Sequence, residues 1–226
     1  KDEMTEKIRQ IFAGWKRGDL TLPHVPPVKE VLNPSVNLVS KDLTQATVRI
    51  GHLSIRQDNP DFFALSILDD ILGGEAFASR LFRDVRAEKG LAYSAGTALK
   101  PGNLDYGIFV AYCDTKAAST QQAITAIIEN IRKIREQPVS DEELQLAKES
   151  FLNSFVFSFS DSGQIVSRQM SLEYYGLPKD FLQKYRDEVV RVTKEDLLRV
   201  GQKYLHPDGL IILTIGPADV AKQLSI

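Results

Sequence analysis

The stretch LGGEAFASRLFRDVRAEKGLAYS, residues 72–94, organises the rest of the chain. Its pattern predicts the end of one helix, a glycine-rich break, a second short helix and then a strand. Lys89-Gly90 is typical of a helix end, because glycine accepts the left-handed backbone conformation that often follows a helix C-terminus. Arg86 and Tyr93 lie on either side of this second break.

The second predicted helix carries arginines at three-residue spacing: Arg80, Arg83 and Arg86. Apolar residues occupy the opposite side, so we expect the guanidinium groups to project from the body of the domain. Tyr93 follows on the strand, where its hydroxyl can stand on the same side as Arg86. Taken alone, such residues are most often solvated charges and half-buried packing.

Most of the strands are predicted in the first half of the chain. Residues 36–55 alternate with period two around a turn near Lys41, which predicts an antiparallel strand pair with one covered face. Asn59-Pro60-Asp61 begins a buried helix, because proline suits the first helical turn. Two further strands form a hairpin through Pro101-Gly102-Asn103.

The second half of the chain is predicted to be helical. Isoleucines at helical spacing predict a long amphipathic helix after Thr115, and Ser140 with Glu143 forms a capping box that opens the next helix. Further helices are predicted over residues 163–175 and 181–190, and another ends at Tyr204. A buried strand, GLIILTIG, closes the sheet. The expected fold class is α+β, with a mainly antiparallel mixed sheet and helices packed on one face.

Residues 1–34 are expected to be distinct from this domain. Apolar residues at helical spacing predict a helix over residues 4–15. Prolines at positions 23, 26, 27 and 34 then favour an extended connector. We interpret residues 1–34 as the tail helix of a preceding domain with a proline-rich linker, and residues 35–226 as the α+β domain.

Composition excludes several classes of protein. The 226 residues include 28 basic and 30 acidic side chains, so nothing favours nucleic acid or an anionic membrane as a partner. No apolar run is long enough for a membrane span, and the N-terminus does not resemble a signal peptide. The single cysteine, Cys113, excludes an internal disulfide and is expected to be a small apolar residue on a strand. It leaves both the cytoplasm and the periplasm open.

The sequence contains no complete catalytic apparatus of its own. His24, His52 and His206 are far apart and form no paired metal-ligand motif, so each is interpreted as structural or solvated. No phosphate-binding glycine loop and no nucleophile elbow occur. The carboxylate pairs Asp69-Asp70 and Glu142-Glu143 are explained as solvated helix faces or first turns.

Several motifs in a fixed order nevertheless resemble one family. They are ILGG at residues 71–74, SRLF at 79–82 and R-x-x-K-G-L-A-Y at 86–93, followed by VSDEELQLAKESF and VTKEDLLRVGQKYL. With them, the chain from about residue 36 to 216 resembles the second, non-zinc half of the M16 (pitrilysin/insulinase-type) zinc metallopeptidases. That family includes mitochondrial processing peptidase and the cytochrome bc1 core proteins, and its halves share the fold type of LuxS.

The resemblance implies a function for Arg86 and Tyr93. In the family, two halves close around an unfolded peptide, and the first half binds zinc through an inverted H-x-x-E-H motif. The second half supplies an Arg and a Tyr seven positions apart. Arg86 is therefore expected to donate to substrate backbone carbonyls and Tyr93 to the scissile carbonyl region. No metal or cofactor is expected in this chain, and zinc is expected on the partner half, in the same longer chain or in a separate subunit.

One departure and two alternatives remain open. Many relatives have a glycine or small residue after Gly74, whereas this chain has Glu75-Ala76, which leaves the shape of that loop undecided. A non-proteolytic scaffold of the same fold, as in the bc1 core subunits, is the first alternative. An unrelated α+β binding domain is the second, and it would require the ordered motifs to be coincidental.

Overall fold

The computed structural model describes residues 2–16, 18, 26–29, 32–74, 78–157, 159–178 and 180–222. In these residues the strands form one mixed sheet in the order β1-β5-β2-β4-β3. Their bounds are β1 Ser35–Ser40, β2 Gln45–Ser54, β3 Ala92–Lys100, β4 Gly107–Lys116 and β5 Ile211–Gly216. The predicted hairpin is confirmed as β3 and β4, which pair antiparallel.

The predicted pairing of the first two strands is wrong. β5 lies between them, parallel to β1 and antiparallel to β2. The alternation of apolar residues shows which face of a strand is covered, but it does not show which strand lies beside it. β5, the last strand of the chain, therefore lies beside β1 in the position that was predicted for β2.

The helices pack on one face of the sheet, as predicted. Along β2, Ala46, Val48 and Ile50 are fully buried against the helices, while Thr47 and Arg49 lie on the other side. Since adjacent strands share this alternation, the second side remains partly exposed. We call it the open face; on β2 and β4 its members are residues 47, 49, 51 and 53 of β2 and 108, 110, 112 and 114 of β4.

The helices follow the predicted order with small changes at their ends. Their bounds are α1 Asp2–Phe12, α2 Phe62–Asp69, α3 Thr120–Glu136, α4 Asp141–Phe157, α5 Ser162–Tyr174, α6 Phe181–Arg191 and α7 Lys194–Tyr204. The predicted capping box forms at Ser140 with Glu143, and a second capping box forms at Thr193 with Asp196. None of the described helices is both long and apolar enough to span a lipid bilayer.

Two segments of the chain wind as π-helices. The residues after α2, Asp70–Gly74, form a π-helical turn, and Phe82–Glu88 form a second π-helix. π-helical segments are rare and often lie at functional sites. The first ends within the stretch of residues 72–94, and the second lies entirely inside it.

The described residues of the N-terminal segment, 2–16, 18, 26–29 and 32–34, are exposed. α1 has no buried residue; Ile11 in α1 and Trp15, three residues after its end, are 75% and 76% exposed. The connector is irregular where it is described; Pro23 and His24 fall outside the described residues. The Val28 amide donates to the Asp105 carboxylate at 2.8 Å, in the β3–β4 hairpin. The connector therefore contacts that hairpin before it enters β1 at the opposite edge of the sheet.

Candidate functional site

The end of α2 is fastened to β3 by a close approach of two backbones. A Cβ at Gly73 would overlap the Thr97 amide nitrogen, and a Cβ at Gly96 would lie 2.7 Å from the Gly73 carbonyl oxygen. Only glycine allows such contact without displacing a strand. The ILGG motif therefore places the π-helical turn Asp70–Gly74 against β3.

Asp69 strengthens this attachment, and its interpretation as a solvated residue is wrong. One carboxylate oxygen accepts the Leu99 amide at 2.9 Å, while Thr97 Oγ donates to the Asp69 carbonyl oxygen at 3.1 Å. The other carboxylate oxygen is buried and has no partner in the described residues. Burial raises the pKa of Asp69 to about 6, although the interactions with Thr97 and Leu99 oppose the shift. The sequence could not reveal this because β3 lies about thirty residues farther along the chain.

Arg80 does not project from the domain as predicted. Its Nε and Nη2 donate to the two carboxylate oxygens of Glu143 at 2.7 and 2.8 Å, with both side chains mostly buried. This bidentate pairing with Arg80, despite partial burial, lowers the pKa of Glu143, and the Ser140 amide acts in the same direction. Arg80 thus fastens the start of the π-helix to α4. Of the three arginines, Arg83 and Arg86 are exposed.

Arg86 lies between two aromatic rings. Its guanidinium carbon is 4.8 Å from the centroid of Phe82 and 5.5 Å from the centroid of Tyr93. Cation–π attraction favours this position and leaves the N–H groups unused. Within the described residues, no carboxylate or carbonyl oxygen accepts a hydrogen bond from Arg86.

Tyr93 is brought beside Arg86 by a sharp reversal of the backbone. Gly90 has a φ of +60°, the left-handed conformation predicted for this position. The Leu91 amide then donates to the Val85 carbonyl oxygen at 2.9 Å, which returns the chain over the π-helix. Because Ala92 and Ser94 pair with consecutive residues of β4, Tyr93 is the extra residue of a β-bulge. Its side chain is 78% exposed.

The structure therefore places the two predicted residues, Arg86 and Tyr93, side by side at the edge of the sheet. Both side chains are exposed hydrogen-bond donors, and neither hydroxyl nor guanidinium has a hydrogen-bonding partner among the described residues. Such a pair can bind an acceptor that approaches from solvent, such as a peptide carbonyl oxygen.

Asp84 and Asn130, which were not predicted as site residues, join the π-helix Phe82–Glu88 to α3. Asp84 accepts hydrogen bonds from Asn130 at 2.7 Å and from Lys89 at 3.0 Å. Partial burial would raise the pKa of Asp84, but these two donors more than offset it and lower the pKa. Asn130 is 5% exposed and lies on α3. No local pattern could have identified it, since its partner is 46 residues away.

The described residues contain no group of three or more His, Cys, Asp or Glu side chains that could hold a metal ion. His52 is structural, as expected: its Nδ1 donates to the Leu53 carbonyl oxygen at 2.7 Å and its Nε2 accepts the His206 amide at 3.2 Å. Burial lowers the pKa of His52, so the neutral ring is favoured. Cys113 is fully buried on β4, and burial raises its pKa to about 12, so it is not a thiolate nucleophile.

The comparisons with known proteins agree on one family. Residues 1–151 match the family model of the peptidase M16 inactive domain. An uncharacterized zinc protease of Bacillus subtilis is 30% identical over 128 residues, which is 57% of this chain and 31% of that protein. An uncharacterized zinc protease of Streptomyces coelicolor is 25% identical over 206 residues, or 88% of this chain and 44% of that protein. The chain thus spans less than half the length of these relatives.

Solved structures confirm the fold. The peptidase M16 inactive domain from Pseudomonas fluorescens superimposes with a TM-score of 0.85 at 24% identity, covering 96% of this chain and 52% of that chain. A chain of complex III from Candida albicans superimposes with a TM-score of 0.78 at 15% identity, covering 95% of this chain and 52% of that chain. At these identities the likeness shows the fold alone.

Proposed function

Since the chain belongs to the peptidase M16 family, as an inactive domain, we propose that it is the substrate-binding half of a zinc metallopeptidase. In this proposal it presents Arg86 and Tyr93 to an unfolded peptide that is bound at the zinc site of another half. The zinc-bearing half belongs either to the same longer chain or to a separate subunit.

One observation carries the proposal. Arg86 and Tyr93 are adjacent, exposed and without hydrogen-bond acceptors in the part of the chain that the structure describes. Solvated surface arginines do not need a ring on each side or a β-bulge that brings a tyrosine beside them. The arrangement is instead what a site needs when the acceptor comes from a ligand.

The two side chains have different roles. The Arg86 guanidinium offers a planar set of N–H donors, which suits the backbone carbonyl oxygens of an extended peptide. The Tyr93 hydroxyl donates one hydrogen bond to the scissile carbonyl oxygen, where negative charge develops during hydrolysis. A donor aimed at such an oxyanion contributes about 10²- to 10³-fold to the rate.

Zinc is not assigned to this chain. Its three histidines contain no paired ligand motif, and the described residues do not form a suitable cluster. The names of the relatives, which are zinc proteases, support a metal on the half that this chain does not contain. When bound there, zinc supplies a Lewis acid and an activated water.

The N-terminal segment joins the two halves in this proposal. α1 is an amphipathic helix whose apolar residues are exposed here, which supports its assignment to a preceding domain. Residues 1–34 are then the tail of that domain and its linker, and residues 35–226 are the substrate-binding domain. The contact between Val28 and Asp105 fixes the linker against the second domain.

A non-proteolytic scaffold is the second candidate function. The likeness to a chain of complex III favours it, because the same fold occurs there within an assembly. A scaffold does not require free donors at Arg86 and Tyr93. The effect of these two residues on peptide cleavage therefore separates the two candidates.

The experiment compares two arginines on one π-helix. In the chain assembled with its zinc-bearing half, Arg86→Gln is expected to lower kcat/KM for an unstructured peptide by about 10- to 100-fold, since charge-assisted hydrogen bonds are lost. Arg83→Gln is the matched control, because Arg83 is also exposed but is not placed between Phe82 and Tyr93. Equal rates for the two variants would contradict the proposed role of Arg86.

A further inference from the structure

The backbone at Tyr93 is not fixed by the ladder of hydrogen bonds between β3 and β4. Ala92 pairs with Thr115, and Ser94 pairs with the preceding residue of β4, Asp114. Tyr93 lies between these two pairs as the extra residue of the bulge, and such a residue is left out of the ladder. The direction of its side chain therefore depends on how the chain is held just before and just after it.

The Thr115 hydroxyl holds the chain on the N-terminal side of the bulge. Its Oγ1 donates to the Leu91 carbonyl oxygen at 2.6 Å, and Thr115 is 2% exposed. The Leu91 amide in turn donates to the Val85 carbonyl oxygen at 2.9 Å. Leu91 is thus tied on one side to the π-helix that carries Arg86 and on the other side to β4. These two hydrogen bonds hold the start of β3 at a fixed distance from the π-helix.

The Asp114 carboxylate holds the chain on the C-terminal side of the bulge. Its two oxygens accept hydrogen bonds from Ser94 Oγ and Thr47 Oγ1, each at 2.8 Å. Asp114 therefore connects β4 to both of its neighbours, β3 and β2. Since consecutive side chains of a strand point to opposite faces, Thr115 acts on the face covered by helices and Asp114 on the open face. The bulge is held from both sides of the sheet.

The place of the Thr115 hydrogen bond distinguishes it from ordinary packing. Buried hydroxyls usually have a partner, so such a bond is by itself unremarkable. This sheet nevertheless tolerates a threonine without one: Thr214 of β5 is fully buried, and its Oγ1 has no partner within the described residues. The acceptor of Thr115 lies two residues before Tyr93, where the chain has just left the π-helix.

We propose that Thr115 and Asp114 are positioning residues for Tyr93. They do not touch the substrate; they fix the backbone of the bulge so that the Tyr93 side chain stays beside Arg86. A donor contributes to catalysis when it is held where charge develops, and a displacement of about 1 Å costs on the order of 10²-fold in rate. This inference rests on the proposed function, which gives Tyr93 its task.

The test measures steady-state cleavage of an unstructured peptide by the chain assembled with its zinc-bearing half. Thr115→Val removes the hydroxyl and keeps a similar shape, so it is expected to lower kcat about 10-fold and to change KM little. Thr115→Ser keeps a hydroxyl donor and is expected to restore kcat to within about twofold of the wild type. Thr214→Val is the matched control, because the same substitution there removes no hydrogen bond within the described residues.

A double-mutant cycle separates positioning from a general loss of structure. In a Tyr93→Phe background, Thr115→Val is expected to have no further effect on kcat, because the hydroxyl that Thr115 positions is already absent. Ser94→Ala removes one of the two hydrogen bonds to Asp114 from a partly exposed position and is expected to give the same pattern. If Thr115→Val does not assemble with the other half, Ser94→Ala decides, and an unchanged kcat in that variant contradicts the proposal.

The remaining outcomes are equally decisive. A wild-type kcat in Thr115→Val contradicts the proposal, as does an equal loss in Thr214→Val or an equal loss with and without the Tyr93 hydroxyl. Failure of the proposed function looks different, because Tyr93→Phe itself then leaves cleavage unchanged. Fluorine NMR of the assembled protein labelled with fluorotyrosine then tests the positioning without any cleavage, with the Tyr93 signal assigned by its absence from Tyr93→Phe. Thr115→Val is expected to shift or broaden this signal, and an unchanged signal overturns the inference.

Discussion

At the scale of single residues, Arg86 is held where it is by the rings of Phe82 and Tyr93. The sequence predicted that Arg86 and Tyr93 would meet, because their spacing around Gly90 matched a family motif. It did not predict the contribution of Phe82, which was assigned to the apolar side of the helix. Phe82 lies four positions before Arg86, about one helical turn away, and its ring contacts the guanidinium.

Removing the Tyr93 hydroxyl tests its role. Tyr93→Phe in the assembled peptidase is expected to lower kcat about 10²- to 10³-fold and to change KM little, since the hydrogen bond strengthens only as charge develops on the substrate oxygen. Steady-state kinetics on an unstructured peptide give both constants. Tyr174→Phe is the control, because Tyr174 is 76% exposed, close to the 78% of Tyr93. A rise in KM with unchanged kcat would assign Tyr93 to substrate binding only.

At the scale of elements, α2 and the turn after it are attached to β3 through Gly73 and Asp69. Sequence patterns predicted these elements and the glycines between them, since helix ends, caps and turns are local signals. Contacts that join distant parts of the chain were not predictable. The ion pair of Arg80 with Glu143 and the insertion of β5 between β1 and β2 are both of this kind.

Asp69 gives this attachment a dependence on pH. Because burial raises its pKa to about 6, above the ordinary value of 3.8, folding favours the protonated form. The resulting stability is complete below about pH 4 and is lost as the pH rises through about 6. A shift of about two units corresponds to at most about 3 kcal/mol.

Urea unfolding between pH 4 and pH 7 measures the effect. The free energy of unfolding of the wild-type chain is expected to fall relative to that of Asp69→Asn as the pH rises, because the asparagine does not ionise. Carboxylates with lowered pKa values, such as Asp84 and Glu143, act in the opposite direction in both proteins and cancel in the comparison. A constant difference between the two proteins across this range would contradict the burial of the Asp69 charge.

At the scale of the whole molecule, the chain accounts for less than half of its zinc protease relatives. Its sequence predicted the family and the architecture, because several motifs occur in order over most of the domain. The surroundings of α1 could not be predicted, since no described residue of the sheet domain buries it.

The fluorescence of Trp15, three residues after the end of α1, reports on the surroundings of α1. Trp15 is the only tryptophan of the chain and is 76% exposed, so its fluorescence is expected to be that of a solvated indole. Assembly with the preceding half is expected to move the emission to shorter wavelength as the apolar side of α1 becomes buried. Trp15→Phe provides the background spectrum. An emission maximum that does not change on assembly would contradict the assignment of α1 to that half.

The most direct measurement of the central claim is cleavage of an unstructured peptide by the assembled halves, compared with a chain that carries both Arg86→Gln and Tyr93→Phe. The chain alone is expected to cleave nothing, and the wild-type assembly is expected to be active. The doubly substituted chain is expected to assemble normally and to lose at least about 10²-fold in kcat/KM. Cleavage by the chain alone, or full activity of the doubly substituted assembly, would show that Arg86 and Tyr93 do not act on the substrate as proposed.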